Sequence, residues 1–188
     1  MKRVCVFCGS KPGAKPVYTE TAVRLGQELA GRDIGLVYGG ATPGLMGIIA
    51  DTVLAARGEV IGVIPDRMVS REIAHNGLTE LHVVRSMHER KALMMELADA
   101  FIVLPGGYGT LDELSEVATW SQLRLHEKPC GLLNVEGFFD PLLDYLDNAV
   151  REGFLKPPHR ELIFAETDPV RLIERLQARP EPVSVSKW

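Results

Sequence analysis

An apolar run, Ala100-Phe101-Ile102-Val103-Leu104, passes straight into Pro105-Gly106-Gly107-Tyr108-Gly109-Thr110-Leu111-Asp112-Glu113, and a helix-patterned stretch follows as far as Leu125. That order predicts a strand, a glycine turn and a helix. A strand that is apolar at every position is buried on both faces, as in a parallel sheet covered by helices. The first N–H groups of a helix have no internal partners, and the helix dipole adds partial positive charge there. With glycines admitting close approach of a ligand, the turn is suited to a phosphate.

The same punctuation recurs along the chain. Short apolar runs predict strands over 3–7, 35–38, 60–64, 81–84, 100–104, 131–134 and 162–165, and longer patterned stretches predict helices over 16–31, 44–57, 87–97, 111–125, 138–152 and 169–177. Alternating elements imply an α/β fold, a Rossmann-like parallel sheet with right-handed crossovers and helices on both faces. Ligands of such folds bind beyond the C-terminal ends of the strands. Three predicted strand ends run into glycine: Cys8-Gly9-Ser10, Tyr38-Gly39-Gly40 and the Pro105 turn. Three such loops on one sheet edge would surround one nucleotide; each alone would also serve as an ordinary turn. Residues 65–77 lack periodicity and read as a surface loop carrying Arg67, Arg71, Glu72 and His75, able to cover a site. Residues 1–178 read as a single nucleotide-binding domain, and 179–188 as a flexible tail.

Composition narrows the function classes. At 188 residues with a net charge of −4, the chain has room for a real core and no bias toward nucleic acid. No apolar run approaches the roughly 20 residues that cross a bilayer. Three cysteines, an odd number, fit reduced thiols and a cytoplasmic setting. Cys5-x-x-Cys8 has redox spacing but lies within a predicted strand, where the two thiols face opposite sides and read as structural. The histidines at 75, 82, 88, 126 and 159 show no metal-ligand spacing, and His126 reads as a charge at a helix end. No metal and no cofactor is expected. The glycine pattern fits neither the dinucleotide fingerprint nor the Walker A loop.

Two segments carry residues suited to chemistry. Glu113 stands one turn beyond the glycine turn, where a helix N-terminus would favour its ionised form; Thr110-x-x-Glu113 also has capping-box spacing, which alone would account for both residues. Met87-His88-Glu89-Arg90-Lys91 opens another predicted helix. An arginine there can grip a carboxylate or phosphate with paired hydrogen bonds, or the run can be a solvated face.

The pairing of Met87-His88-x-Arg90-Lys91 with Pro105-Gly106-Gly107-x-Gly109-Thr110-x-x-Glu113, supported by Lys128-Pro129-x-Gly131-Leu132-Leu133-Asn134, resembles the LOG ("Lonely guy") family. These are cytokinin riboside 5′-monophosphate phosphoribohydrolases, many long labelled "possible lysine decarboxylase". The likeness extends over nearly the whole chain; Asp112 stands where plant members often have Glu. It implies a homodimer that hydrolyses a nucleoside 5′-monophosphate, bare or prenylated, to free base and ribose 5-phosphate. By motif position it implies Arg90 and Glu113 as the catalytic pair. Glu72, Lys91, Gly107, Tyr108, Gly109, Thr110 and Thr119 would then line the nucleotide site. Gly106, Ser10, Gly39 and Gly40 join them as members of the three glycine loops. Met46, Met87, Met94 and Trp120 are candidate walls for the base. The alternative is a non-catalytic nucleotide or cofactor carrier of similar fold, which needs the glycine loop but not the carboxylate. A decarboxylase would need pyridoxal phosphate on a lysine, and only Lys91 is suggestively placed.

Overall fold

The computed structural model describes residues 1–69 and 73–178. Along the chain lie β1 (Arg3–Phe7), α1 (Pro16–Gly31), β2 (Gly35–Tyr38), α2 (Leu45–Ala55), β3 (Val60–Pro65), α3 (Asp66–Val69), β4 (Glu80–Val84) and α4 (Met87–Leu97). Then come β5 (Ala100–Val103), α5 (Tyr108–Gln122), β6 (Cys130–Leu133), α6 (Asp140–Arg151), α7 (Pro157–Arg160), β7 (Ile163–Glu166) and α8 (Pro169–Gln177). Among the described residues the strands form one seven-stranded sheet, ordered β4-β3-β2-β1-β5-β6-β7, and its neighbours pair in parallel. The predicted α/β architecture is therefore the observed one.

Burial follows the sequence pattern. The inner strands β2, β3, β5 and β6 are buried at every position, whereas edge strand β4 exposes Glu80, Leu81 and Val83. One core, on the face covered by α1, α2 and α8, contains Val4, Val6, Leu25, Leu36, Ile49, Ile102 and Leu172. The opposite core, under α4 and α5, contains Phe7, Val37, Ile61, Met94, Phe101, Leu114 and Val117. Each such side chain contributes about 1.5–3 kcal/mol on burial. Cys5 and Cys8 fall in opposite cores, as strand alternation requires, and both are free thiols raised in pKa by burial.

The sheet order reverses at β1 and β5. The chain leaves β1 toward β2–β4 and leaves β5 toward β6 and β7, so their C-terminal ends flank a crevice. Backbone bonds pin its rim: Leu104 N donates to Phe7 O (2.9 Å), Gly9 N to Pro105 O (3.0 Å) and Leu45 N to Gly9 O (3.1 Å). The glycine loops after β1, β2 and β5 are thereby tied together.

Several local expectations are corrected. The helix after the Pro105 turn starts at Tyr108 instead of Leu111 and stops at Gln122. Its N-cap is Gly107, with no side-chain cap, so Thr110 and Glu113 are interior positions and form no capping box. A box-like arrangement lies instead at α4, where Ser86 Oγ accepts from Glu89 N (3.1 Å) and Glu89 Oε2 accepts from Arg85 N (2.8 Å). Residues 65–77 are not simply a surface loop: Pro65 ends β3, α3 follows, and His75 is buried. His126 does not act as a charge at a helix end; burial lowers its pKa, and its ring sits between Val117 O (3.1 Å) and Lys128 N (3.2 Å). The segment 179–188, expected to be flexible, lies outside the described residues. Among the described residues no helix is long and apolar enough to cross a membrane.

Candidate active site

Arg90 and Glu113 meet at the C-terminal edge of the sheet, each close to nine-tenths buried, with Arg90 Nη2 3.6 Å from Glu113 Oε1. Arg90 projects inward from the first turn of α4 while its neighbours His88 and Glu89 remain exposed, so the run is not a uniformly solvated face. Its Nε donates to Val63 O at the end of β3 (3.1 Å), and Nη1 lies 3.9 Å from Met87 Sδ. The guanidinium rests on Gly39, where an added Cβ would overlap Nη2. The glycine is thus the space that the arginine fills.

Glu113 comes from α5, on the inward stripe Thr110, Glu113 and Val117. Burial pushes its pKa up to about 7; the nearby Arg90 guanidinium opposes that rise, and Asp112 reinforces it. The expectation that a helix N-terminus would keep this carboxyl readily ionised is corrected, because desolvation outweighs the favourable charges. A buried ion pair of this kind gains little net stability for the fold. Its cost is explicable as a functional arrangement.

Beside the pair, the N-terminus of α5 is open. Gly107 supplies no capping side chain, and Tyr108, the first helical residue, is 93% exposed. Gly106 packs against Thr110 so closely that a Cβ would overlap Oγ1. Gly106 and Gly107 border two hollows. One, of about 260 Å³, is also lined by Gly9, Ser10, Lys11 and Tyr18; the other, about 360 Å³ and largely apolar, by Leu111, Leu114, Phe138 and Leu142.

The structure therefore brings Ser10, Gly106, Gly107, Tyr108 and Thr110 to one rim, with Gly109 in the first turn of the same helix, and places Gly39 against Arg90. Gly40 follows at the base of the adjoining loop. Lys91 of α4 and Thr119 of the outer stripe of α5 are set apart, in a hollow of about 220 Å³ with Asp112, Glu116 and Trp120. Lys91 Nζ lies 3.0 Å from both Asp112 Oδ2 and Glu116 Oε2, and these carboxylates raise its pKa. Glu72 lies outside the described residues. Of the candidate walls, Met87 borders the arginine, Met46 borders Gly39, Trp120 lines the outer hollow, and Met94 is wholly in the core. Sequence reading missed the pairing of Lys91 with Asp112 and Glu116; the i, i+4 spacing of those two acids was the available signal.

A family model described as "Possible lysine decarboxylase" matches residues 46–176. Two cytokinin riboside 5′-monophosphate phosphoribohydrolases of Arabidopsis thaliana, LOG1 and LOG7, are each 51% identical over 176 residues, 94% of this chain and 83% and 81% of theirs. Among solved structures, a molybdenum cofactor binding protein from Rippkaea orientalis superposes with a TM-score of 0.72 at 22% identity, covering 95% of this chain and 97% of that one. That likeness shows a shared fold. The family-model match and the half-identical relatives together show that this chain belongs to the LOG family of phosphoribohydrolases.

Proposed function

We propose that this protein hydrolyses the N-glycosidic bond of an adenosine 5′-monophosphate, bare or N6-prenylated, releasing the base and ribose 5-phosphate. The observation that carries the reading is the buried Arg90–Glu113 pair set beside an uncapped, glycine-flanked helix N-terminus. The half-identical phosphoribohydrolases support it.

The chemistry follows from the parts. The free N–H groups of Gly107, Tyr108, Gly109 and Thr110 would hold the 5′-phosphate, so the nucleotide is preferred over the nucleoside. As the bond from C1′ to the base nitrogen lengthens, positive charge grows on the ribosyl ring, and the Glu113 carboxylate stabilises it. A carboxyl poised near neutrality also suits removal of a proton from the attacking water, whose oxygen bonds to C1′ while the base leaves with a proton. Arg90 keeps Glu113 in place and favours its charged form. Lys91, from α4, and Thr119, from the outer stripe of α5, would act from the hollow between those helices. Second copies packing on the exposed Leu111, Leu123 and Leu125 would give a homodimer, and three free, buried thiols suit a reducing cytoplasm.

A carrier would need the glycine turn alone, so the buried carboxylate favours hydrolysis. The decarboxylase description finds no support in Lys91: a Schiff-base lysine must be neutral to react, and two carboxylates hold this one charged. The test incubates pure protein with AMP and, separately, isopentenyladenosine monophosphate, and quantifies base and ribose 5-phosphate. Release lost in Glu113→Gln is the expected result; undiminished release in that variant overturns the assignment. The ratio of rates names the preferred base.

A further inference from the structure

We propose that His75 is a positioning residue for Arg90, acting by clamping the segment 73–77 onto the loop that supports the guanidinium. The segment is strapped to that loop by backbone bonds. Thr42 N and Oγ1 both donate to Ile73 O (2.9 and 3.0 Å), His75 N donates to Gly40 O (2.9 Å), and Ala41 and Ala74 form an antiparallel bridge. The His75 ring then fastens the strap to α2. Its Nδ1 accepts from Gly77 N (3.0 Å), which leaves the proton on Nε2 to be donated to Asp51 Oδ1 (2.9 Å). The ring is buried, whereas the Asp51 side chain is 69% exposed. A buried histidine with both nitrogens assigned holds its strap at a fixed height.

That height matters because of what lies beneath. Gly40, at φ +71°, would meet Val63 N and Ile64 Cβ at 3.2 Å if it carried a Cβ, so it rests directly on β3. Val63 O accepts from Arg90 Nε, and the preceding Gly39 borders Arg90 Nη2. The chain of contact therefore runs from Asp51 through His75 to Gly40, and from Gly39 and Val63 to the guanidinium that faces Glu113. The proposed hydrolysis accounts for neither His75 nor Asp51. A displaced strap would shift Arg90 without touching any substrate, and a misplacement of about 1 Å at a reacting centre costs up to about 100-fold in rate.

The kinetic part of the test rests on the hydrolase reading; the spectroscopic part does not. The Nε–H resonance of Arg90 is followed in arginine-labelled full-length protein, assigned by its loss in Arg90→Lys. Steady-state hydrolysis of AMP and thermal midpoints are measured alongside. Asp51→Ala, at an exposed position where folding is not at stake, is expected to move that resonance and lower kcat about tenfold, with KM changed less than kcat. His75→Ala is expected to do the same, and Asp51→Asn and His75→Gln to restore most of both. The double variant His75→Ala/Asp51→Ala is expected to be no worse than either single one. An unmoved resonance in Asp51→Ala and His75→Ala overturns the proposal, whether or not stability falls. A moved resonance in a protein that releases no base from any nucleotide breaks the hydrolase reading and upholds the clamp.

Discussion

Helices α5 and α8 both follow a strand of the same sheet, yet their first turns are built oppositely. At α8, Asp168 is the N-cap and accepts from Val170 N (3.0 Å) and Arg171 N (3.2 Å), with Pro169 at the first helical position. Those contacts and Arg24 hold the Asp168 carboxyl below its ordinary pKa. Its inward stripe is apolar: Leu172, Ile173 and Leu176. At α5, glycine occupies the N-cap with no side-chain partner, and the inward positions include Thr110 and Glu113. One helix carries its own anion and spends its inner face on packing. The other leaves its N–H groups open and buries a carboxyl instead. A helix that forgoes its cap and part of its packing is the one set aside for a ligand.

The largest effect on α5 is expected at Glu113. Glu113→Gln keeps the shape and removes the charge, and kcat for base release is expected to fall about 10³-fold with little change in fold, checked by product chromatography and circular dichroism. A drop below tenfold would remove Glu113 from the chemistry.

Acidity tests the same residue differently. Its folded pKa of about 7 lies above the 4.5 of an ordinary glutamate, so the native state binds the extra proton. Its contribution to stability is complete below pH 4.5 and is lost as pH rises through 7, by up to about 3 kcal/mol. Urea unfolding at successive pH values is expected to show that decline, and Glu113→Gln to flatten it. Base release is expected to rise over the same range as the carboxylate forms.

Gly107→Asp would convert the first turn of α5 into that of α8. A Cβ at Gly107 meets nothing within 4 Å, and its φ of −104° is one that other residues adopt. The new carboxylate is expected to cap the helix, stabilise the protein by about 1 kcal/mol and weaken AMP binding about 100-fold, read by calorimetry. Unchanged binding would place the phosphate elsewhere. The smallest effect is expected at Asp168→Ala: about 1 kcal/mol of stability lost and base release unchanged.

Much of this was legible in advance. The apolar runs 3–7 and 35–38 and the helices 16–31, 87–97 and 169–177 coincide with observed elements, because burial on both faces and amphipathic spacing leave a direct mark on sequence. Element ends were less legible. The α5 start was missed because Thr110-x-x-Glu113 imitates a cap, and that spacing does not reveal which residue sits at the helix boundary. The clamp role of His75 leaves no local mark, because its partner Asp51 and its anchor Gly40 lie far back along the chain.

The order of residues alone specifies the parallel sheet, the glycine turn at the end of β5, the opposite faces of Cys5 and Cys8, and the family, since each depends on residues near one another or on motifs read in order. Tertiary structure alone decided that Arg90 is buried over Gly39, that Lys91 is engaged by Asp112 and Glu116, and that Glu113 titrates near neutrality. Desolvation and ion pairing depend on which distant segments close over a side chain, and only the folded packing of α4, α5 and the β2–α2 loop supplies that enclosure.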